Sequence, residues 1–528
     1  MTRKPQLFAR QALAALVCMS LAWPAGWAQA QTAAPPAEPA APGLPSLGDA
    51  GDMTTLQERK LGDLIARELY RDPDYLDDPI LGEYVDGIWS ALLAGARTRG
   101  EITPELQERF AWRVLFGRDA TINAFSLPGG YFGLHTGLVG AVASRDELAS
   151  VLAHEMTHVA QRHIARMLGK QDRQTPLLLA AMVVGLVAAS KNPDAGSALI
   201  MGGQAAVIQQ QLNFSRDMER EADRIGYGIM TQAGFAPEGF VSMFEKLQNA
   251  ARINDNGDWP YLRSHPLTTQ RIADMQQRQQ NLPRHAAPAP DLEALLLAAR
   301  ARVLGRPGVD VLRAWAGEPD QSGFAQQPLA RRASALYAAA LAHAELRDLP
   351  RAQTQAAQLA QAVAGDARAA RQARLLQAEL ALRAGQSARA LELLPPPARS
   401  PGAAPQAGRA VLLLRAQAQI RGGQAADAAS ALQPWLSDHP RDATAWQVLA
   451  QAWAAQGQTL RQLRAEGEVQ MAHMDYAGAV DRWRAAQDFS RQQRGGNADL
   501  IEASIVDARL REGRELLRQQ QEDEKKLK

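Results

Sequence analysis

Cysteine is almost absent from this sequence, because only Cys18 among its 528 residues carries a thiol. Cys18 lies in an apolar stretch near the N-terminus that we expect to be removed on export. The mature chain can therefore form no disulfide, so an oxidising compartment is permitted but not exploited. Lipid attachment at Cys18 is disfavoured, because Val17 stands where a lipobox has Gly or Ala.

The sequence also lacks an excess of charge and a long apolar run. Its 58 basic and 56 acidic residues leave a formal net charge of +2, so we expect no nucleic-acid partner. The longest apolar run, residues 175–190, would form a helix of about 22–24 Å, shorter than a bilayer core of about 30 Å. Four roles stay open for it: a lid, a membrane-surface helix making peripheral membrane contact, a partner-docking helix or a buried core helix.

The N-terminus has the three parts of an export signal. Its positive region contains Arg3, Lys4 and Arg10, its short apolar region covers residues 13–23, and residues 28–30 fit the small-x-small cleavage pattern. We therefore predict a signal peptide over residues 1–30, with an uncleaved anchor as the alternative.

Composition divides the rest of the chain, which is long enough for two or three domains, into four segments. The predicted segments are an Ala- and Pro-rich linker at 31–52, a domain of mixed helical and strand patterns at 53–285, a helical repeat domain at 290–490 and a charged helical tail at 491–528. Within the repeat domain, Gly423 and Gly457 are 34 residues apart, which is the period of tetratricopeptide repeats. Stacked repeats would present a concave surface for peptides or proteins, whereas a generic Ala-rich helical bundle is the alternative.

The stretch "VLAHEMTHVAQRH" predicts a metal-binding helix. Ser144 and Glu147 form a capping-box pattern, so the helix should begin near Arg145. His154 and His158 are four residues apart and lie on one helix face, which suits two nitrogen ligands of one Zn²⁺. Glu155, about 100° around the helix, suits a general base acting on water. His163, five residues beyond His158, is expected to point away and to lie at the surface or near the helix end.

A third ligand has to come from another helix, and "SRDMEREAD" supplies candidates. Glu219 and Asp223 are four residues apart, so both lie on one face. Glu219 could complete a His₂Glu site that leaves a fourth position for water, and Asp223 could accept the free N–H of a ligating histidine. Spacing alone does not choose between Glu219 and Glu221. The metzincin class is excluded because Gln161 and Ile164 stand where that class has Gly and His.

These motifs resemble the gluzincin peptidases of the HtpX and CAAX prenyl protease type. In that family the Glu that opens E-x-x-x-D is the third zinc ligand and the Asp stands behind a ligand, which points to Glu219 and Asp223. Residues 122–138 and 264–272 match the family's Asn-Ala-Phe and His-Pro segments. The resemblance implies a mostly helical α+β fold, in which a zincin-like metalloprotease domain with a small β-sheet precedes an all-α tetratricopeptide-like domain.

The combination of an export signal, this domain and the repeats resembles periplasmic proteases that also act as chaperones in outer-membrane assembly. It implies a periplasmic zinc endopeptidase with one Zn²⁺ per chain. Its ligands would be His154, His158 and Glu219, with Glu155 as the general base and Asp223 in support. The expected partners are misfolded or stalled outer-membrane proteins and their assembly machinery. The alternative is a non-proteolytic chaperone or assembly scaffold that works through the repeats.

Two further features are predicted to act at this site. The resemblance implies that His265 occupies the fourth zinc position and keeps the enzyme inactive, and binding of the substrate or the oxyanion is the alternative. The strand containing Asn123, Ala124 and Phe125 is predicted to be an exposed edge that pairs with an extended substrate, and a core strand is the alternative.

Overall fold

The structure, a computed structural model, describes residues 53–169, 215–252, 260–280, 289–394, 408–492 and 499–527. The predicted signal peptide, the linker and the apolar run at 175–190 lie outside these ranges. Among the described residues, no helix has both the length and the apolar character that a membrane span requires.

The described residues form a mostly helical α+β fold with one small sheet, which confirms the predicted fold class. Helices are numbered along these residues. The part that surrounds the sheet contains α1 (Thr55–Arg71), α2 (Pro79–Thr98), α3 (Pro104–Arg109), α4 (Thr136–Ala141), α5 (Arg145–Ala160), α6 (His163–Gly169), α7 (Arg216–Gln232), α8 (Glu238–Arg252), α9 (Pro260–Ser264) and α10 (Thr269–Gln280). The sheet contains β1 (Tyr75–Leu76), β2 (Arg113–Gly117), β3 (Ala124–Leu127) and β4 (Tyr131–His135) in the order β1-β2-β4-β3.

The turn between β3 and β4 depends on two glycines. Gly129 and Gly130 have φ values of +71° and +85°, a left-handed conformation that side-chain-bearing residues rarely adopt. A Cβ atom at Gly130 would also lie 2.9 Å from the backbone nitrogen of Ala111. The turn over Pro128–Gly130 therefore requires glycine at two of its three positions. It directs β4 to pair parallel with β2 and antiparallel with β3, which leaves β3 at the edge of the sheet.

Helix α5 lies in the middle of the core and is buried at every position from Glu147 to Ala160. Ser144 caps its N-terminus by accepting a hydrogen bond from the Glu147 N–H at 3.2 Å. In a capping box, the Glu147 side chain would accept a hydrogen bond from the Ser144 N–H. Here the Glu147 carboxylate accepts instead from the Ala143 N–H at 2.6 Å and pairs with Lys246 at 2.6 Å. The capping pattern thus predicted the start of the helix at Arg145 correctly. The Glu147 side chain, however, connects α5 to α8 through Lys246 and does not complete a capping box.

Helix α7 approaches α5 closely because Gly226 has no side chain. A Cβ atom at Gly226 would lie 3.1 Å from backbone atoms of Ala153 and His154. Such a distance is tighter than ordinary van der Waals contact, so only glycine allows this approach without displacement. The close approach brings Glu219 and Asp223, which lie about two turns and one turn before Gly226, up to the face of α5.

The rest of the described chain is helical, and from Val309 onwards each α-helix contacts the next along the chain. Its α-helices are α11 (Leu292–Leu304), α12 (Val309–Gly317), α13 (Leu329–Glu345), α14 (Leu349–Ala362), α15 (Ala367–Arg383), α16 (Ser387–Leu393), α17 (Arg409–Arg421), α18 (Ala425–Asp438), α19 (Ala443–Ala455), α20 (Thr459–Ala472), α21 (Tyr476–Gln492) and α22 (Leu500–Leu527). Gly385, Gly423 and Gly457 have positive φ values and lie at turns between successive helices. The domain boundaries and the assignment to tetratricopeptide repeats stay predictions.

A buried arginine joins the helical array to the part that surrounds the sheet. Arg300, on α11, forms ion pairs with Asp78 at the start of α2 and with Glu379 on α15, and all three side chains are largely buried. Burial of the guanidinium would lower its pKa, but the charges of Asp78 and Glu379 outweigh this and raise the pKa of Arg300 well above its ordinary value. The arginine stays charged and paired, so the two parts are held by an interaction that is costly to break.

Candidate metal centre

Helix α5 presents two histidine nitrogens to a common point. His154 and His158 are both buried, and their Nε2 atoms lie 3.0 Å apart. Their spacing of four residues places them one helical turn apart on the face that α7 covers. The two imidazoles therefore lie on one face of the helix, as their spacing in the sequence predicts.

Glu219 on α7 faces the two histidines, and Glu221 does not. The Glu219 carboxylate lies 3.5 Å from His154 Nε2 through Oε2 and 3.5 Å from His158 Nε2 through Oε1. Glu221 instead pairs with His163 at 3.1 Å and with Arg166 at 2.8 Å. Glu219 and not Glu221 therefore lies where a third ligand is needed, and its role as a ligand stays a prediction.

His265, in the loop between α9 and α10, contributes a fourth donor. Its Nδ1 atom lies 2.9 Å from Glu219 Oε1 and 3.3 Å from His154 Nε2. One ligand atom each from His154, His158, Glu219 and His265 falls within 4.8 Å of all the others. Donors at about 2.0–2.1 Å from a tetrahedral zinc ion would be about 3.3 Å apart. Five separations of 2.9–3.5 Å, which involve both Glu219 oxygens and do not include the His158–His265 pair, are close to this spacing.

Asp223 and Arg271 support the cluster from behind. Asp223 Oδ1 lies 3.0 Å from His154 Nδ1, on the side of the imidazole opposite the cluster. Arg271 donates to both Asp223 oxygens, at 2.6 and 2.8 Å, and its Nη1 lies 2.7 Å from Glu219 Oε2. Burial opposes ionisation of Asp223, but Arg271 and His154 outweigh it and lower the pKa of that carboxyl. Asp223 therefore remains an acceptor that fixes the orientation and tautomer of His154.

The three predicted ligands differ in the direction in which their pKa values are shifted. Burial favours neutral His154, but hydrogen bonds to Asp223 and Glu219 and their charges raise its pKa to about 9. Burial and the charge of His154 lower the pKa of His158 well below its ordinary value. The pKa of Glu219 is lowered well below its ordinary range, because His265 and His154 outweigh its burial. One ligand thus holds a proton that a metal ion would have to displace.

Glu155 is buried next to this cluster but is not one of the four donors. Its Oε1 atom lies 3.3 Å from His265 Nε2, the nitrogen on the far side of the ring from the cluster. Burial raises the pKa of Glu155, and the charges of His265 and His154 offset this only in part. A carboxyl with a raised pKa is well suited to accept a proton in one step and return it in the next.

The expectation for His163 was wrong, because its side chain is fully buried at the site. His163 Nδ1 lies 2.8 Å from His158 Nδ1, and His163 Nε2 lies 3.1 Å from Glu221 Oε2. The helical angle used for the expectation does not apply beyond Ala160, where α5 ends. Arg162 has a φ of +52° between α5 and α6, so the chain turns back and returns His163 to the side of the site. No spacing rule for a continuous helix would have found this residue.

Strand β3 lies beside the site with one side of its backbone facing away from the sheet. The Asn123 carbonyl accepts from the His135 N–H in β4, so by antiparallel alternation Ala124 and Ser126 point their N–H and C=O groups away from β4. Among the described residues, no strand pairs with this outer side of β3. The Tyr261 N–H donates to the Ile122 carbonyl at 3.3 Å, so α9 and the His265 loop lie at this same edge. The predicted strand is thus an edge strand, and its use by a substrate stays a prediction.

A mostly apolar cavity adjoins the cluster. Its lining includes Phe240, Met243 and Phe244 of α8 together with His154 and His265, two of the four donors. The ring of His265 is stacked on that of Tyr261, with centroids 4.6 Å apart. The cavity therefore already reaches the donors of the cluster.

Comparison with known proteins relates this region to a peptidase family. The sequence model described as peptidase family M48 matches residues 105–279, which include every residue of the cluster. A Vibrio cholerae protein with the provisional name beta-barrel assembly-enhancing protease is 38% identical over 259 residues, 49% of this chain and 51% of the relative. The beta-barrel assembly-enhancing protease of Escherichia coli is 32% identical over 222 residues, 42% of this chain and 44% of the relative. The chain thus spans about half the length of these relatives.

A more distant relative is a mitochondrial enzyme. The mitochondrial metalloendopeptidase OMA1 of Saccharomyces cerevisiae is 29% identical over 196 residues, which cover 36% of this chain and 54% of the relative. The similarity to a second kind of metalloendopeptidase is informative because the two kinds of relative have different names and different organisms.

Proposed function

We propose that this chain, which contains a peptidase family M48 domain over residues 105–279, is a zinc-dependent endopeptidase of the periplasm. The observation that carries the proposal is the group of four buried donors, His154, His158, Glu219 and His265, beside the buried carboxyl of Glu155. Two imidazoles and a carboxylate, with a carboxyl that is close by but not a ligand, form the donor set of a metallopeptidase.

His154, His158 and Glu219 would hold one Zn²⁺ per chain. A bound zinc ion supplies Lewis-acid polarisation of the peptide carbonyl and of a water molecule. The imidazole of His154 is held by Asp223, and the charge of Glu219 is balanced by Arg271 at 2.7 Å. These contacts fix the ligand orientations in advance, so binding does not have to order them.

Glu155 would move the protons of the reaction. Its carboxylate accepts a proton from the attacking water and then donates it to the nitrogen of the leaving amine. The raised pKa of Glu155 favours the first step, because a carboxylate whose pKa is higher is a stronger base towards the proton of the water. The buried position of Glu155 keeps bulk water away from this transfer.

His265 would keep the resting site closed. Its Nδ1 atom lies at the fourth corner of the donor set, where a catalytic zinc site binds water or substrate. Its Nε2 atom also lies beside Glu155, so the same ring covers the proposed base. This arrangement supports the inactive-state role over a role in stabilising the oxyanion, which would require His265 to leave the fourth corner free.

The proposed substrates are misfolded or stalled outer-membrane proteins, bound in extended form along β3. Outward-pointing N–H and C=O groups at Ala124 and Ser126 can pair with any extended chain, so affinity would depend little on sequence. The relatives' names, beta-barrel assembly-enhancing protease, support this substrate class and an association with the assembly machinery. The helical array would select substrates and add chaperone activity.

The decisive test compares wild-type protein with Glu155→Gln on an unfolded outer-membrane protein and on casein. We expect Glu155→Gln to bind one Zn²⁺ per chain and to lose cleavage, because the amide cannot accept the proton from water. Glu245→Gln, which changes an exposed carboxylate on α8, is the matched control and should cleave normally. Full cleavage by Glu155→Gln would disprove the proposal. A wild-type protein that suppresses aggregation but never cleaves, with or without added Zn²⁺, would favour the scaffold alternative.

A further inference from the structure

The buried residue His163 joins a candidate ligand to a carboxylate. Its Nδ1 atom is 2.8 Å from His158 Nδ1, and its Nε2 atom is 3.1 Å from Glu221 Oε2. Arg166 Nη2 donates to the same Glu221 oxygen at 2.8 Å. A continuous chain of hydrogen bonds therefore runs from the partly exposed Glu221 to the ring nitrogen of His158 that faces away from the metal cluster.

The direction of each hydrogen bond in this chain follows from the chemistry of its ends. An ionised carboxylate only accepts, so His163 Nε2 must donate to Glu221. In a neutral imidazole the other nitrogen is then an acceptor, so His163 Nδ1 accepts the proton of His158 Nδ1. With its proton on Nδ1, neutral His158 keeps the lone pair on Nε2, which lies 3.0 Å from His154 Nε2 in the cluster. The opposite direction would place the proton of His158 on Nε2 and prevent ligation.

We propose that His163 is a positioning residue that holds His158 in the tautomer that binds metal, with Glu221 setting the direction of the chain. The inference rests on the proposed function, because it assumes that His158 is a ligand. His154 is oriented directly by the carboxylate of Asp223, whose Oδ1 lies 3.0 Å from His154 Nδ1. The two ligands on α5 are thus oriented by different devices, a carboxylate for His154 and an imidazole backed by a carboxylate for His158.

The break between α5 and α6 makes this contact geometrically possible. A continuous helix would direct position 163 away from position 158, because five residues correspond to about 500°. The left-handed Arg162 reverses the chain instead, and its guanidinium pairs with the buried Glu58 at 2.9 Å. The strained conformation of Arg162 is thus held by an ion pair while it delivers His163 to His158.

The test measures Zn²⁺ affinity by competition with a chelator, using full-length protein and four variants. His163→Ala should weaken Zn²⁺ binding by about 10–100-fold, the usual effect of removing a residue that orients a ligand. His163→Asn places an amide oxygen near the position of Nδ1 and should bind more tightly than His163→Ala. His163→Gln reaches towards Glu221 but leaves the His158 N–H unmatched, so it should resemble His163→Ala. Glu221→Gln should weaken binding less, since His163 still accepts from His158.

His343→Ala is the matched control, because His343 is a buried histidine on α13 outside the cluster. It should leave Zn²⁺ affinity unchanged, and thermal unfolding of the metal-free variants identifies any that do not fold. If His163→Ala does not fold, the comparison of Asn with Gln decides the question. Unchanged affinity in His163→Ala, or no advantage of Asn over Gln, would overturn the inference. A wild-type protein that binds no stoichiometric Zn²⁺ would instead overturn the proposed function.

Discussion

Metal binding should release a proton from His154, and this release can be measured. In the metal-free protein, hydrogen bonds to Asp223 and Glu219 raise the pKa of His154 to about 9, so both of its ring nitrogens carry protons at neutral pH. A metal ion needs the Nε2 lone pair and must displace that proton. His158 is neutral at pH 7 because its pKa is lowered, and Glu219 is ionised because its pKa is lowered. Of the three predicted ligands, only His154 should therefore release a proton.

The size of the effect follows from the gap between the pKa of His154 and the working pH. Below about pH 9, each fall of one pH unit should lower the apparent Zn²⁺ affinity about tenfold, because the ion competes with one proton. Between pH 9 and pH 7 the loss amounts to about 100-fold, or about 2.7 kcal/mol. The sign is fixed by the direction of the shift: affinity rises with pH up to the pKa of His154 and then levels off.

Isothermal titration calorimetry of Zn²⁺ into metal-free protein, in buffers with different ionisation enthalpies, gives the number of protons released. The experiment uses Glu155→Gln, so that the raised pKa of the buried Glu155 carboxyl cannot add a second proton. We expect about one proton at pH 7 from the three predicted ligands. In Glu155→Gln combined with Asp223→Asn, a neutral amide no longer stabilises protonated His154, so proton release at pH 7 should fall. Zero release at pH 7, together with an affinity that stays flat up to pH 9, would refute the reasoning.

Three further predictions concern His265, β3 and the core. His265→Ala should raise casein cleavage at equal Zn²⁺ occupancy, because it vacates the fourth corner of the donor set; reduced cleavage would support the oxyanion role instead. Ala124→Pro should impair cleavage but leave Zn²⁺ binding intact, because it removes an outward-pointing N–H of β3. Normal cleavage by a folded variant would exclude pairing of the substrate at this edge. Arg300→Leu should lower the free energy of unfolding in urea by about 3–5 kcal/mol, because it leaves Asp78 buried without its ion-pair partner, while Glu379 keeps only Arg383. Arg313→Leu, at an exposed pair, should cost less than about 1 kcal/mol.

The sequence predicted the parts of the site that depend on one continuous helix. The positions of His154 and His158 follow from a spacing of four, and the start of α5 follows from Ser144 as its cap. The choice between Glu219 and Glu221 could not be made from α7 alone, because it depends on which face of that helix meets α5. Gly226 sets that face by allowing close approach, but a glycine within a helical pattern does not reveal which neighbouring helix it contacts.

The sequence could not predict contacts that arise where a helix ends. His163 was expected to point away from the site because the helical angle was extended past Ala160, but the left-handed turn at Arg162 ended the helix first. In the same way, Glu147 matched a capping box in sequence, yet its carboxylate bonds to the Ala143 N–H and to Lys246 from a helix about one hundred residues later. In both cases a tertiary partner distant in sequence decided the local geometry.

Arg271 limits how His265 can leave the cluster. Its guanidinium holds Asp223 through two hydrogen bonds, lies 2.7 Å from Glu219, and donates to the Pro266 carbonyl at 2.9 Å. A movement that carried Arg271 away with His265 would leave two buried carboxylates without their counter-charge, which costs several kcal/mol. Withdrawal of His265 is therefore least costly when Arg271 stays in place and only its bond to the Pro266 carbonyl breaks. The opening movement should then occur between the end of α9 at Ser264 and the start of α10 at Thr269, so that the ligand support on α7 survives when the fourth corner is vacated.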